Sequence, residues 1–299
     1  MTASRRIGVV VNPTKFDDLG DVKDRVGKLC ADHGWGEPVF LETTEEDPGV
    51  GQAQDALDRG IDVLYPLGGD GTVRAVATAL IGTDTPMGLL PGGTGNLLAR
   101  NLEIPIDLEQ AVDVGLHGAH RTIDVGRVNG ERFAVMAGTG LDALMIRDAD
   151  RAMKDRFGRA AYVWTGAKHL KMPPFRAQIE VDGRPWFDGK AGCILVGNVG
   201  KVLGGVEAFD DVSPEDGLLE LGVITAKGVT QWTRALVRTA VGSADRSKFV
   251  QTTKAKKIKI KLDRKMPYEL DGGDEKPVDR LKIRIEPAAV TICVPEEAA

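Results

Sequence analysis

The sequence predicts an α/β domain followed by an all-β domain, and three observations carry that prediction. From Ile7 to about His117, short β-branched runs alternate with helical patterns, which is how a parallel sheet with crossover helices reads. After about Arg121 the pattern changes to short alternating runs joined by Asn-Gly and Asp-Gly turns, which favours antiparallel hairpins. The chain has 299 residues, 42% of them hydrophobic, enough for two ordinary cores. Domains are therefore expected at residues 1–120 and 121–299. No repeat or low-complexity linker separates the halves, so a site is expected in the cleft between them.

Taken in order, the strands expected in the first half are residues 7–11, 39–41, 63–66 and 87–90. Between the first two, Val22, Val26, Leu29 and Cys30 recur at helical spacing; between the next two, Ala53, Ala56 and Leu57 do the same. In the second half, residues 121–128 turn through Asn129-Gly130 into 131–137, and 178–181 turn through Asp182-Gly183 toward 191–196. Residues 218–224, 258–262, 267–270, 281–285 and 290–294 add strands of an antiparallel sandwich or barrel-like sheet. Helical inserts are expected at about 143–170 and 229–241. Within them Met145, Ala149 and Met153, and Trp232, Leu236 and Val237, fall at helical spacing, as ordinary core or as a slot for an apolar chain.

Composition narrows the function classes. A net charge of −5 and a pI near 5.5 give no whole-chain attraction to nucleic acid. Cys30, Cys193 and Cys293 lie far apart with no histidine at ligand spacing, so they read as reduced and buried. No run approaches the roughly 18 consecutive apolar residues of a membrane span, so membrane contact is expected to be peripheral and the compartment cytoplasmic. Lys254, Lys256, Lys257, Lys259, Lys261 and Lys265 crowd one segment, and Lys257, Lys259 and Lys261 alternate with Ile258, Ile260 and Leu262. On a strand that makes an outward basic row, which is either a solvated or charge-blunted face or a surface drawn to anionic lipid at the inner membrane face.

The most informative segment is Gly68-Gly69-Asp70-Gly71-Thr72, between a strand and a helical run marked by Val73, Val76, Ala77 and Leu80. Glycines there can bring backbone N–H groups against phosphate oxygens, with the start of the helix adding its positive end. The next strand ends in Pro91-Gly92-Gly93-Thr94-Gly95-Asn96, and the first in Asn12-Pro13-Thr14-Lys15. The last of these is also an ordinary turn initiator, and Lys15 is solvated unless a phosphate lies nearby. Three strand ends of one sheet edge converge where open α/β sheets bind ligands. Neither loop has the spacing of a P-loop or of the dinucleotide fingerprint.

Together, the two glycine loops resemble the diacylglycerol kinase catalytic domain family, which includes bacterial lipid kinases and sphingosine and ceramide kinases. Asn12-Pro13, Gly138-Thr139-Gly140-Leu141-Asp142-Ala143, Asp216-Gly217-Leu218-Leu219, Glu269-Leu270-Asp271-Gly272 and the last strand are similar to further family segments in the expected order. The resemblance implies a Rossmann-like α/β domain, an antiparallel β-sandwich domain, and transfer of the γ-phosphoryl of ATP to a lipid alcohol such as diacylglycerol or a sphingosine-like acceptor. It implies that ATP is held by Asn12, Pro13, Thr14, Thr44, Gly68, Gly69, Asp70, Gly71, Thr72, Gly93, Thr94 and Asn96, with Thr43 standing beside Thr44. Asp70 is implied as a catalytic or Mg2+-organising carboxylate. Asp216, with backbone carbonyls near Ser213 and Leu218, is implied to hold a structural Mg2+, and a homodimer is implied by relatives. Where many relatives read Asp-Gly-Glu, this chain reads Asp271-Gly272-Gly273-Asp274, so the acceptor proton falls to Asp271, Asp70 or Asp274. The alternatives are an NAD kinase-like enzyme, which shares the first loop but not the second, and a catalytically weak nucleotide-dependent lipid-binding protein.

Overall fold

The structure, a computed structural model, describes residues 5–140, 143, 173–201, 207–226 and 249–298. Apart from Ala143, the two helical inserts and their Met145, Ala149, Met153, Trp232, Leu236 and Val237 lie outside the described residues. The chain divides into two compact units, Met1–Ile123 with Ala288–Ala299, and Asp124–Pro287.

The first unit runs β1 (Ile7–Val11), α1 (Leu19–Asp32), β2 (Val39–Glu42), α2 (Val50–Asp58), β3 (Val63–Gly68), α3 (Asp70–Leu80), β4 (Leu90–Pro91), α4 (Leu97–Asn101) and α5 (Leu108–His117). Its sheet has the order β2-β1-β3-β4, every pair parallel. Every residue of β1 and β3 is buried, which is why both read as unbroken apolar runs, since a central parallel strand is covered on both faces. α1 and α5 start where acidic side chains satisfy their first N–H groups. Asp18 accepts from the Asp21 N–H at 2.9 Å, and Asp107 from those of Glu109 and Gln110 at 3.1 and 3.0 Å. α5 buries Ala111, Val112, Gly115 and Leu116. Beneath it lies the Tyr65 ring, whose hydroxyl donates to the Val112 carbonyl at 2.9 Å.

The strand expected at 87–90 is continuous only over Leu90–Pro91; Met87 bridges Leu64 on one side and Ile292 on the other, both parallel. Its N–H donates to the Thr291 carbonyl at 2.8 Å and its carbonyl accepts from the Cys293 N–H at 2.9 Å. Residues 290–294, expected with the second half, therefore pack in the first unit. Cys30 and Cys293 join its core, and burial pushes their thiols up to about 11 and about 12, so both stay protonated.

The second unit is antiparallel: β5 (Ala119–Val128), β6 (Glu131–Phe133), β7 (Met136–Gly140), β8 (Phe175–Val181), β9 (Arg184–Ala191), β10 (Cys193–Gly197), β11 (Leu219–Ile224), β12 (Val250–Ala255), β13 (Lys257–Leu270) and β14 (Gly273–Val294). The order is β12-β11-β10-β7-β13-β14-β5-β6, with β8 beside β13 and β9 beside β8. The chain leaves the first unit within β5 and returns to it within β14. Asn129-Gly130, Asp182-Gly183 and Asp271-Gly272 all take positive φ at both residues, as tight hairpin turns require. The run expected at 131–137 divides into β6 and β7, because the Ala134 and Val135 N–H groups donate to the Asp271 carboxylate. β12 was illegible in the sequence: it is an edge strand among the described residues, and Val250-Gln251-Thr252-Thr253-Lys254-Ala255 buries only Ala255.

Candidate active site

The three expected loops lie at the carboxyl ends of β1, β3 and β4. The strand order changes direction between β1 and β3, the position at which sheets of this kind take ligands. There the Asn12 N–H donates to the Leu67 carbonyl at 3.0 Å. The Asn12 Oδ1 accepts from the Thr14 N–H at 3.1 Å and from the Thr14 hydroxyl at 2.8 Å. Asn12 thus shapes the turn, Pro13 opens a single 3-10 turn, and that turn carries Lys15.

The glycines sort into two kinds. A Cβ at Gly92 would lie 2.6 Å from the Gly68 nitrogen, one at Gly93 would lie 2.8 Å from the Gly69 Cα, and one at Gly95 would lie 2.6 Å from the Asp70 Oδ2. Real Cβ atoms do not approach so closely, so Gly92 and Gly93 let the two loops meet main chain to main chain, and Gly95 leaves room for the Asp70 carboxylate. At Gly71, by contrast, a Cβ would meet nothing within 4 Å, and at Gly69 its neighbour would be the Lys15 Cε at 3.9 Å. Gly69 sits at φ −84°, ψ −178°, a conformation open to any residue, and no side chain caps α3 there. What glycine supplies at 69 and 71 is room at a helix start, with a lysine alongside, and that combination suits a phosphate.

Asp70, the first residue of α3, has its Oδ1 2.7 Å from the Leu97 N–H, which opens α4, so one carboxylate fastens the second loop to the first. Asn96 takes the left-handed conformation. Its Oδ1 accepts from the Gly93 N–H at 3.1 Å and its Nδ2 donates to the Gly93 carbonyl at 2.8 Å, closing the second loop. Thr94 is exposed and Thr72 buried. Thr44 follows β2, is exposed, and its Oγ1 accepts from the Asp47 N–H at 3.1 Å, while Thr43 is buried. Lys15, expected to be solvated unless a phosphate lies nearby, stands beside Gly69; its signal in the sequence is its place after Asn12-Pro13-Thr14.

In the second unit Asp271 is 3% exposed. Its Oδ2 accepts from the Ala134 N–H at 2.8 Å, and its Oδ1 from the Val135 and Met136 N–H groups at 2.9 Å each. Three main-chain donors thus occupy most of the roughly four acceptor positions of the carboxylate. The geometry ties Asp271 to the main chain at the start of β7. Asp274 is exposed and faces Glu269 across the β13–β14 ladder.

The expected Mg2+ group is differently arranged. The Asp216 Oδ1 accepts from the Leu218 N–H at 3.0 Å, while its Oδ2 lies 3.2 Å from the Lys254 ammonium. That ammonium also donates to the Asp211 carbonyl at 3.2 Å and pairs with Glu220 at 2.9 Å. Ser213 Oγ accepts from the Glu215 N–H at 3.3 Å. Oxygen donors suit Mg2+ in kind, and the Lys254 ammonium brings a positive charge among them. Glu220 helps to raise the Lys254 pKa, and burial raises that of Glu220. Asp124, which the sequence gave no reason to single out, supports the same turn: its N–H donates to the Pro214 carbonyl at 2.6 Å and its Oδ2 accepts from the Gly217 N–H at 2.7 Å.

Comparison with known proteins agrees with the loops. Residues 6–128 match the diacylglycerol kinase catalytic domain family, and residues 135–294 the YegS C-terminal NAD kinase beta sandwich-like domain. The chain is 32% identical to the protein named "Diacylglycerol kinase" of Bacillus subtilis (strain 168) over 274 residues, covering 90% of this chain and 89% of that one. It is 29% identical over 268 residues to "Probable lipid kinase YegS-like" of Pseudomonas fluorescens, covering 89% and 88%. Among solved structures, a diacylglycerol kinase from Bacillus anthracis str. Sterne shares the fold at a TM-score of 0.79 and 22% identity over the whole of both chains. An NAD kinase from Archaeoglobus fulgidus in complex with ATP shares it more distantly, at a TM-score of 0.55 and 14% identity, covering 98% of this chain and 95% of that one. With both units matched by family and a relative aligned over nine-tenths of the chain, the protein belongs to the diacylglycerol kinase and YegS-like family of lipid kinases.

Proposed function

We propose that this lipid kinase transfers the γ-phosphoryl of ATP to the hydroxyl of diacylglycerol. The observation that carries the reading is the open start of α3 at Gly69 and Gly71, with Lys15 alongside. Backbone N–H groups at that helix start and the Lys15 ammonium hold phosphate oxygens, and the turn built by Asn12 sets the lysine in place. Asp70 orients the acceptor hydroxyl while its Oδ1 keeps the second loop, with Thr94 and Asn96, against the first. Asp70 is preferred to Asp271 because three main-chain N–H groups already bond to the Asp271 carboxylate. Phosphoryl transfer depends chiefly on positioning and charge neutralisation, so a strong base is not required. Mg2+ carried by the nucleotide would supply further neutralisation of the triphosphate. Diacylglycerol is chosen as acceptor from the name of the Bacillus subtilis relative.

Labelled ATP offered with diacylglycerol, monoacylglycerol, sphingosine and NAD+ tests the proposal. Phosphorylated diacylglycerol is the expected product. Asp70→Asn should lower turnover by about 10²–10³ with the fold intact, since an asparagine Oδ1 can still accept from Leu97. Product from NAD+ alone, or stabilisation by ATP with no product from any acceptor, would overturn it.

A separate observation favours contact with an anionic membrane. Across the β13–β14 ladder Lys257 faces Arg284, Lys259 faces Lys282 and Lys261 faces Arg280, all exposed. The single basic row expected from the sequence is thus doubled by a neighbouring strand. Lys259 meets Glu180 at 3.2 Å and Arg284 meets Glu286 at 3.0 Å. Lys254 does not share this role, being engaged with Asp216 and Glu220.

A further inference from the structure

Outside the glycine loops, one group among the described residues gathers ligand atoms closely enough to share an ion: His33, Asp113 and His117, whose ligand atoms lie within 4.8 Å of one another. We propose that these three side chains form a surface binding site for a late first-row divalent cation, Zn2+ above all, that staples the end of α1 to the end of α5.

Asp113 and His117 are one turn apart on α5 and project from the same face. His33 is the residue that ends α1. The His117 Nε2 lies 2.9 Å from the His33 Nδ1, and the Asp113 Oδ1 lies 3.9 Å from the Nε2 of each histidine. In a tetrahedral site with bonds of about 2.0–2.1 Å, ligand atoms stand roughly 3.3 Å apart. These distances involve both ring nitrogens of His33; with one ligand atom from each residue the three lie within 4.8 Å of one another, so side-chain rotations would draw them to that spacing. Such rotations are available, because the side chains of His33, His117 and Asp113 are 35%, 49% and 57% exposed. The same exposure gives an ion an entry path and leaves positions for water. Two imidazoles and one carboxylate select Zn2+, Ni2+ or Cu2+ over Mg2+ or Ca2+, which take oxygen donors.

The site's place in the sheet separates it from the glycine loops. α1 runs back from the carboxyl edge of β1, and just after His33 the Gly36 N–H donates to the Arg5 carbonyl at 2.7 Å, beside the start of β1. An ion there acts on the opposite edge from Gly68–Thr72. Its effect is on stability, because binding only the folded arrangement shifts the unfolding equilibrium.

Zn2+ titration of the full chain without a histidine tag, against a competing chromophoric chelator, tests the proposal, with Co2+ absorption reporting tetrahedral coordination. The wild type should bind one ion in the site and melt at a higher temperature with Zn2+ than with chelator. His33→Ala and His117→Ala should each weaken binding by roughly tenfold or more, the loss of a ligand costing at least as much as the loss of a residue that only supports one. The double variant should lose the thermal shift and keep metal-free folding, and turnover without Zn2+ should be unchanged in all three. Equal Zn2+ affinity in the wild type and the double variant, or no saturable binding to the wild type, overturns the site.

Discussion

At Gly92 an added methyl would strike the main chain of Gly68, whereas at Gly71 it would enter open space. The two residues look alike in sequence and serve different ends. Gly71→Ala should therefore fold normally and weaken nucleotide binding by about tenfold to hundredfold, the loss of a hydrogen bond to a charged group. Calorimetric titration with ATP measures this, and unchanged affinity would remove the helix start from the phosphate site. Lys254 is a second case in which one side chain decides a local structure. Lys254→Met leaves the buried Glu220 carboxylate and Asp216 without their cation, and should cost about 1–3 kcal/mol in a urea melt. The wild-type melting temperature should be the same with Mg2+ or chelator; a Mg2+ stabilisation abolished by Asp216→Asn would show that a metal, not the lysine, holds that turn.

Helices show the same contrast between residue type and environment. In α5, a Cβ at Gly115 would collide with the Tyr65 ring and hydroxyl, while in α1 a Cβ at Gly27 would meet nothing within 4 Å. Helix propensity alone favours alanine at both positions by roughly 1 kcal/mol. Gly27→Ala should realise that gain, whereas Gly115→Ala should destabilise by about 1–3 kcal/mol through overpacking, a difference in sign that thermal melts of the two variants can read. Strands were legible to the extent that their burial pattern was local. β1 and β3 show as apolar runs, and the alternation in β13 places Lys257, Lys259 and Lys261 outside with Ile258, Ile260 and Leu262 inside. The break between β6 and β7 was hidden because it is made by Asp271, a residue more than a hundred positions away.

For the whole molecule, a net charge of −5 conceals the basic face that β13 and β14 assemble. With about 1 kcal/mol per basic residue near an anionic surface, Lys257→Glu with Lys261→Glu should weaken binding to anionic vesicles by roughly thirtyfold or more. Added salt should weaken the wild type in the same direction. The sheet should tolerate the change, because like charges directly opposite one another are unfavourable to begin with. Equal vesicle sedimentation of both proteins would sink the membrane reading.

The sequence by itself determined the class of each half, the glycine loops at neighbouring strand ends, and the family those loops resemble, because these depend on local periodicity and on short segments. Tertiary structure alone decided which glycines pack and which leave space, that Lys15 reaches Gly69, and that Asp271 serves the main chain. It also decided that Lys254 sits among Asp216 and Glu220, and that residues 290–294 complete the first unit. Each of these joins residues distant along the chain, and the partner of a side chain is set by where the backbone returns, which no local pattern encodes.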